Sequence, residues 1–168
     1  MIISVCGPVG LQCARRLYEE NKEQVDGTFA GFFVKQFLEI EPAGKAPGAV
    51  YAAELKENGL FGALWELGEE LNCGMEVGLE AIPVRQEIVE VLELFKESPY
   101  ECASSGSFVV ASDLPGGEVP DGCIAIGRTT EGKSRVINSA EGKRFLTPPL
   151  RQQKDISDRK NKYTGENS

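Results

Sequence analysis

The stretch Asn58-Gly59-Leu60-Phe61-Gly62-Ala63-Leu64-Trp65-Glu66 decides how this 168-residue chain is read. Leu60, Phe61, Leu64, Trp65, Leu67 and Leu71 recur at helical spacing, and Glu66, Glu69 and Glu70 fall opposite them. That spacing predicts an amphipathic helix over residues 60–71 with one broad apolar face. Gly59 opens it, and the Asn58 side chain is expected to cap its first turn by accepting a free backbone N–H. Asn72 and Gly74 are expected to end it, since both residue types tolerate the left-handed backbone that closes helices.

Upstream, residues 2–6 (IISVC) form a short apolar run followed by Gly7-Pro8-Val9-Gly10, which predicts a strand and a tight turn. Leu11, Ala14, Leu17 and Tyr18 then predict a helix running to Lys22, and Phe29, Phe32, Phe33 and Phe37 predict a second within 28–38. Residues 41–48 (EPAGKAPG) carry two prolines and two glycines and are expected to be a loop. Downstream, Met75, Val77 and Leu79 alternate with Glu76, Gly78 and Glu80, the pattern of a half-buried strand. Pro83 is expected to open a helix carrying Val84, Ile88, Val91, Leu92 and Phe95 on one face. Further strands are expected at 107–111, 122–128 and 134–138, with 143–146 extending or edging the sheet. Helices and strands interleave, so the expected fold is α/β (α+β), a mixed β-sheet with helices packed on it. Residues 1–149 form the domain, and 150–168, with only Ile156 and Tyr163 to bury, are expected to be a flexible polar tail.

Composition removes several functions. The chain has no histidine, which excludes Ser-His and Cys-His triads and the usual zinc-hydrolase ligand sets. The net charge is −8; the tail holds five Lys/Arg against three Asp/Glu, which leaves residues 1–149 at −10. A field of that sign repels phosphate backbones and anionic membranes, so neither nucleic acid nor membrane is an expected partner. No apolar run approaches the ~20 residues that span a bilayer, and MIISVCG lacks the basic, then apolar, opening of a signal peptide. A cytoplasmic protein is expected. Five cysteines at wide spacing, with no CxxC, point to reduced thiols and not to a disulfide framework or a zinc site.

Four features bear chemistry. Gly7 to Gly10 sits where a helix N-terminus can attract phosphate, although it matches neither the dinucleotide fingerprint nor the P-loop, and a turn-making role is the simpler one. Glu57-Asn58-Gly59 can present backbone donors to an anion, but Glu54 and Glu57 repel one unless Mg²⁺ intervenes. Ser104-Ser105-Gly106-Ser107 can form an anion nest at a turn; without a neighbouring base, a nucleophilic serine is not expected. Glu66, Glu69, Glu70, Glu87, Glu90 and Glu93 lie on polar helix faces, where solvation accounts for them. The candidate ligand-binding residues are therefore Asn58, Gly59, Ser104, Ser105 and Gly106, with no catalytic and no metal-binding residue.

Taken together, residues 58–112, from NGLFGALWE through IPV to SSGSFVVAS, resemble the C-terminal domain of the AIR synthase superfamily. That superfamily includes phosphoribosylaminoimidazole synthetase, selenophosphate synthetase, thiamine-monophosphate kinase and the hydrogenase-maturation dehydratase, and the hydrogenase expression/formation proteins are the most similar. Ile126-Gly127-Arg128-Thr129-Thr130-Glu131-Gly132 mirrors a later IGxxTEG turn of the family, and the likeness runs from about Ala52 to Pro149. Active relatives read His-Asp-x-Thr-x-Gly-Gly before the helix. Here the same positions are Ala53-Glu54-Leu55-Lys56-Glu57-Asn58-Gly59, of which only Gly59 matches. The link at 112–121 is shorter than the helical segment of the family.

The resemblance implies that ATP and metal sites belong to an N-terminal domain that these residues do not include. The expected function is then an AIR-synthase-related C-terminal domain without catalysis of its own, acting in interaction or regulation, with no cofactor when alone. Two alternatives stay open. One is the C-terminal half of a split ATP-dependent enzyme, in which a separately encoded domain supplies ATP and Mg²⁺. The other is a small anion- or nucleotide-binding module. The expected partner is such an ATP-binding domain or a second copy in a homodimer.

Overall fold

The computed structural model describes residues 1–149; the expected tail lies outside the described residues. Strand β1 (Ile2–Cys6) leads through the Gly7–Gly10 turn into helix α1 (Leu11–Glu20). Asn21, at φ −134° and ψ 39°, caps that helix so that it ends two residues short of the expected Lys22, and its side chain donates to the Leu17 carbonyl at 3.0 Å. A separate short helix, α2 (Lys22–Thr28), follows; Val25 is its one buried residue, too little for a periodic signal. Helix α3 (Gly31–Leu38) buries Val34 and Phe37 but leaves Phe32 71% exposed, against the expected four-phenylalanine face. Arg15 of α1 donates to the Leu38 carbonyl (3.2 Å) and to that of Ile40, partnering acceptors that the end of α3 leaves free.

Strand β2 (Tyr51–Glu54) was not expected. It is a four-residue edge strand whose burial alternates between partly buried and exposed, but its two alanines leave that alternation unmarked in the sequence. Helix α4 (Gly59–Glu70) is the expected helix, shifted by one residue. Its N-terminal cap departs from expectation: Asn58 makes no side-chain capping bond, and only its carbonyl takes part, accepting the Gly62 N–H at 3.2 Å. The C-terminal stop is as expected. Asn72 adopts φ +52°, its N–H reaches the Glu69 carbonyl (3.3 Å), and the Cys73 N–H reaches that of Gly68 (3.0 Å), the paired bonds of a Schellman motif.

Strand β3 (Gly74–Gly78) stops before Leu79, which enters a single 3₁₀ turn instead of continuing the strand. Helix α5 (Gln86–Leu94) starts three residues after Pro83: Ile82 and Arg85 hold extended backbone, so the proline lies in the approach and not at the first helical position. Strands β4 (Phe108–Ser112), β5 (Cys123–Thr130), β6 (Arg135–Ser139) and β7 (Gly142–Phe145) complete the sheet within a residue or two of expectation.

The seven strands run in the order β2-β4-β1-β5-β3-β6-β7, antiparallel throughout except for the β3–β6 pair. One face carries Ile3, Val5, Met75, Val77, Val109, Ala111 and Ile137, which pack with Leu60, Leu64 and Leu67 of α4. Alternation along these strands puts every second residue on that face, which is how β3's apolar positions find α4. Helices α1, α2, α3 and α5 build a second cluster around Val25, Phe37, Ile88 and Leu92, and Val84 touches both. Strands β4 and β5 flank β1 and both run antiparallel to it, so they are parallel to each other. Residues 113–122 therefore return from one end of the sheet to the other, and a ten-residue link makes a crossover that ordinarily takes a dozen residues or more.

Candidate functional site

Three turns singled out in the sequence meet in space. The Gly7–Gly10 turn, with φ +93° at Gly7 and +81° at Gly10, docks on the serine turn. The Gly10 N–H donates to Ser104 Oγ at 2.6 Å, and the Ser107 hydroxyl donates to the Pro8 carbonyl at 2.7 Å. On the other side, the segment leaving β2 lies along the same turn: the Leu55 N–H reaches the Ser107 carbonyl (2.8 Å) and the Ser104 N–H the Lys56 carbonyl (3.3 Å). Residues 100–107 are thus threaded between the start of α1 and the approach to α4.

Every amide of the serine turn has an acceptor inside the chain. Ser105 N–H donates to Gln12 Oε1 at 2.8 Å, Gly106 N–H to Glu54 Oε1 at 2.9 Å, and Ser107 N–H to the Ser104 carbonyl at 3.2 Å. Ser104 is fully buried, and its hydroxyl donates to the Cys102 carbonyl (3.3 Å) while accepting from Gly10. A carboxylate on a turn amide is a charge-assisted bond and stronger than its neutral counterpart. Glu54, which on sequence grounds repels an incoming anion, is itself the anion of this nest.

Gly59 is turned away from solvent. At φ +63°, with its N–H on the Lys56 carbonyl at 3.1 Å, it lies so close to residues 100–102 that a Cβ would stand 2.5 Å from the Cys102 carbonyl oxygen. Only a glycine fits, because both the backbone sign and the space exclude a side chain. The glycine at this position thus has a packing reason within this chain.

Asn58 belongs elsewhere. It lines an open cleft of about 450 Å³ together with Phe61, Glu101, Arg144 and Thr147. The Arg144 guanidinium lies 4.7 Å from the Phe61 ring centroid and 3.8 Å from the Glu101 carboxylate, and Phe61 stacks on Tyr100 at 5.4 Å. The five expected ligand residues are therefore split three ways: Asn58 in the cleft, Gly59 and Ser104 buried, and Ser105 and Gly106 at the surface beside Gln12 and Glu54. Gln12 and Arg144 were not singled out from the sequence, where a polar residue in α1 and a basic residue in an edge strand are unremarked surface positions.

The thiols are likewise closer than their spacing suggests. All five are free; Cys6 and Cys13 are buried and Cys73, Cys102 and Cys123 partly so. Burial, and then a hydrogen bond with the Cys13 thiol, push the Cys102 thiol well above the ordinary range. Burial and the adjacent Cys6 push Cys123 up to about 11. Thiols held protonated in this way are poor nucleophiles at neutral pH. No helix among the described residues is long and apolar enough to cross a membrane.

The fold is shared with solved structures of HypE and of thiamine monophosphate kinase. The crystal structure of Escherichia coli HypE, a hydrogenase maturation protein, superposes with a TM-score of 0.64 at 22% identity, over 89% of this chain and 50% of that one. A HypE solved in complex with ATP gives 0.61 at 16% identity, over 88% and 50%. Thiamine monophosphate kinase of Aquifex aeolicus gives 0.56 at 15% identity, over 82% and 49%. In sequence, the carbamoyl dehydratase HypE of Rhodobacter capsulatus is 32% identical over 92 residues, which is 55% of this chain and 26% of that protein. No family model matches the chain. Fold and sequence together support the AIR synthase-related resemblance, with HypE and thiamine monophosphate kinase among the similar proteins; the chain spans about half the length of these solved relatives.

Proposed function

We propose that this unit serves in interaction or regulation within AIR synthase-related chemistry and performs no catalysis by itself. The observation that carries this is the filled serine turn. Glu54, Gln12, the Lys56 carbonyl and the Ser104 carbonyl take up all four amides of residues 104–107. A phosphate approaching that turn would have to displace a carboxylate of its own sign, so these residues do not fit a phosphate cradle. In the absence of histidine, a base in the turn cluster would have to be a carboxylate, and that of Glu54 is held on the Gly106 amide.

A second reading has its own support. The cleft beside Asn58 is open and presents the Arg144 guanidinium. In that reading the unit completes the active site of an ATP-dependent enzyme, and ATP and Mg²⁺ are held by an ATP-binding domain distinct from residues 1–149. The third, an anion-binding module using Asn58, Gly59, Ser104, Ser105 and Gly106, requires Glu54 to swing off the Gly106 amide. For all three the proposed partner is an ATP-binding domain or a second copy of the chain. Exposed Phe32 and Phe145, at 71% and 68%, supply apolar contact surface.

ATP turnover and binding are measured on the purified chain, with Trp65, the single tryptophan, as the fluorescent reporter. No hydrolysis and no change in emission or melting temperature with ATP-Mg²⁺ is the result expected. Hydrolysis by the chain alone would sink the first reading. Turnover that appears only when an ATP-binding domain co-purified from the native cell is added would establish the second.

A further inference from the structure

Five cysteines far apart in sequence suggest five isolated thiols, but Cys6 and Cys123 face each other. Cys6 is the last residue of β1 and Cys123 the first of β5, and the antiparallel register places them directly opposite. Such partners have Cα atoms roughly 4.5–5.5 Å apart, inside the range of about 4.4–6.8 Å that a disulfide spans. Their side chains lie on the same face of the sheet and are within hydrogen-bonding reach of one another. Cys123 is partly exposed, at the sheet end where the 113–122 link arrives, so a small reagent can reach it.

We propose that Cys6 and Cys123 form an oxidisable dithiol, a modification site at which a small-molecule disulfide of the glutathione type installs a cross-strand disulfide. The exchange balances in two steps. The small ionised fraction of Cys123 attacks one sulfur of the small disulfide, slowly because the thiol is held protonated, forming a mixed disulfide and releasing one small thiolate. The Cys6 thiolate then attacks the Cys123 sulfur, the second small thiolate leaves, and both are protonated from solvent. Two electrons pass from the protein pair to the reagent, which is reduced to two thiols.

The loop so closed runs from Gly7 to Gly122. It contains all three turns of the candidate site, at Gly7–Gly10, 54–59 and 104–107. A cross-link closing so long a loop restricts the unfolded chain strongly while leaving the native pairing of β1 with β5 in place. Oxidation therefore stabilises the segment bearing the site without touching a residue of it. The other close pair, Cys13 with Cys102, is an internal comparison, because burial pushes the Cys102 thiol further above the ordinary range than that of Cys123 and no strand register sets it opposite Cys13. Cys73, which stands alone, is another.

The full chain is incubated for hours with oxidised glutathione at about pH 8.5, where more thiol is ionised. It is then alkylated, digested and mapped by mass spectrometry. The expected product is a Cys6–Cys123 cross-linked peptide, lighter by two hydrogens, in a protein with a higher urea midpoint that reverts on reduction. Cys6→Ser is expected to leave Cys123 as a glutathione mixed disulfide, and Cys73→Ala to leave the cross-link intact. Recovery of Cys6 and Cys123 as alkylated thiols in the folded wild-type chain overturns the proposal. So does a cross-link between other cysteines only. Neither result depends on whether a serine variant folds.

Discussion

The Glu54 carboxylate accepts the Gly106 N–H at 2.9 Å across 52 residues of sequence, joining the edge strand β2 to the serine turn. Glu54 is exposed and Gly106 partly so, and the bond is screened and its contribution modest. Glu54→Ala is expected to lower stability by no more than about 1 kcal/mol. It also vacates an amide that an anion can use. Inorganic phosphate should therefore raise the melting temperature of Glu54→Ala and leave that of the wild type unchanged. A shift of equal size in both proteins would mean that Glu54 does not guard the turn.

Gly59 is the most demanding position of the cluster. Gly59→Ala brings a Cβ within 2.5 Å of the Cys102 carbonyl oxygen at a φ of +63°. Backbone must move, because the obstacle is backbone. A loss of roughly 2–4 kcal/mol is expected in urea unfolding, and a loss below about 1 kcal/mol would show that residues 100–102 yield easily.

Arg135 is 7% exposed, stacked 4.3 Å over the Trp65 ring and paired at 2.7 Å with Glu69, while its Nε is buried without a hydrogen-bond partner. A Cβ on Gly68 would stand 2.3 Å from that Nε, so the glycine makes room for the guanidinium. Replacing a buried charge by an apolar chain of similar length removes its desolvation cost along with its pairing. Arg135→Met is expected to change stability by less than about 1 kcal/mol. Arg135→Ala opens a void and should cost roughly 2–4 kcal/mol. Both should shift Trp65 emission, and unchanged emission in both would place the guanidinium away from the ring in solution.

Glu80 offers a test by pH. Its carboxylate accepts the Ala140 N–H at 2.7 Å, and that bond holds its pKa below the ordinary carboxylate value. A folded-state pKa below the unfolded one gives stability that is present above the unfolded value and lost as pH falls through the folded one. The stability difference between wild type and Glu80→Gln should be full at neutral pH and shrink on acidification through the carboxylate range. A difference that stays constant with pH would remove the charge from the explanation.

Periodicity carried most of the fold. Leu60, Leu64 and Leu67 announce α4, and Met75 with Val77 announces β3, because each pattern is imposed by a single buried face. Strand β2 escaped notice because an edge strand buries little and needs no strong alternation. Helix α2 escaped because only Val25 is anchored. In the candidate site, the turns were legible one at a time from Gly10, Gly59 and Ser104. Their convergence was not. It rests on bonds such as Gly10 to Ser104, 94 residues apart, whose partners leave no mark on local sequence. The cysteines show the same limit, since wide spacing concealed the register that sets Cys6 against Cys123.

The short crossover has a kinetic consequence. β1 precedes the other described strands, and both of its sheet partners lie far from it in sequence, at 108–112 and 123–130. On a ribosome, the middle of the sheet stays open until well over a hundred residues have emerged. Until then, Ile3 and Val5 have no strand beside them. Loop closure over such distances is slow compared with helix formation. The cluster of α1, α2, α3 and α5 draws on residues 11–95 and can gather first. Synthesis of these residues should thus pass through a helical species in which β1 is unpaired and aggregation-prone, with a lifetime set by the arrival of β5.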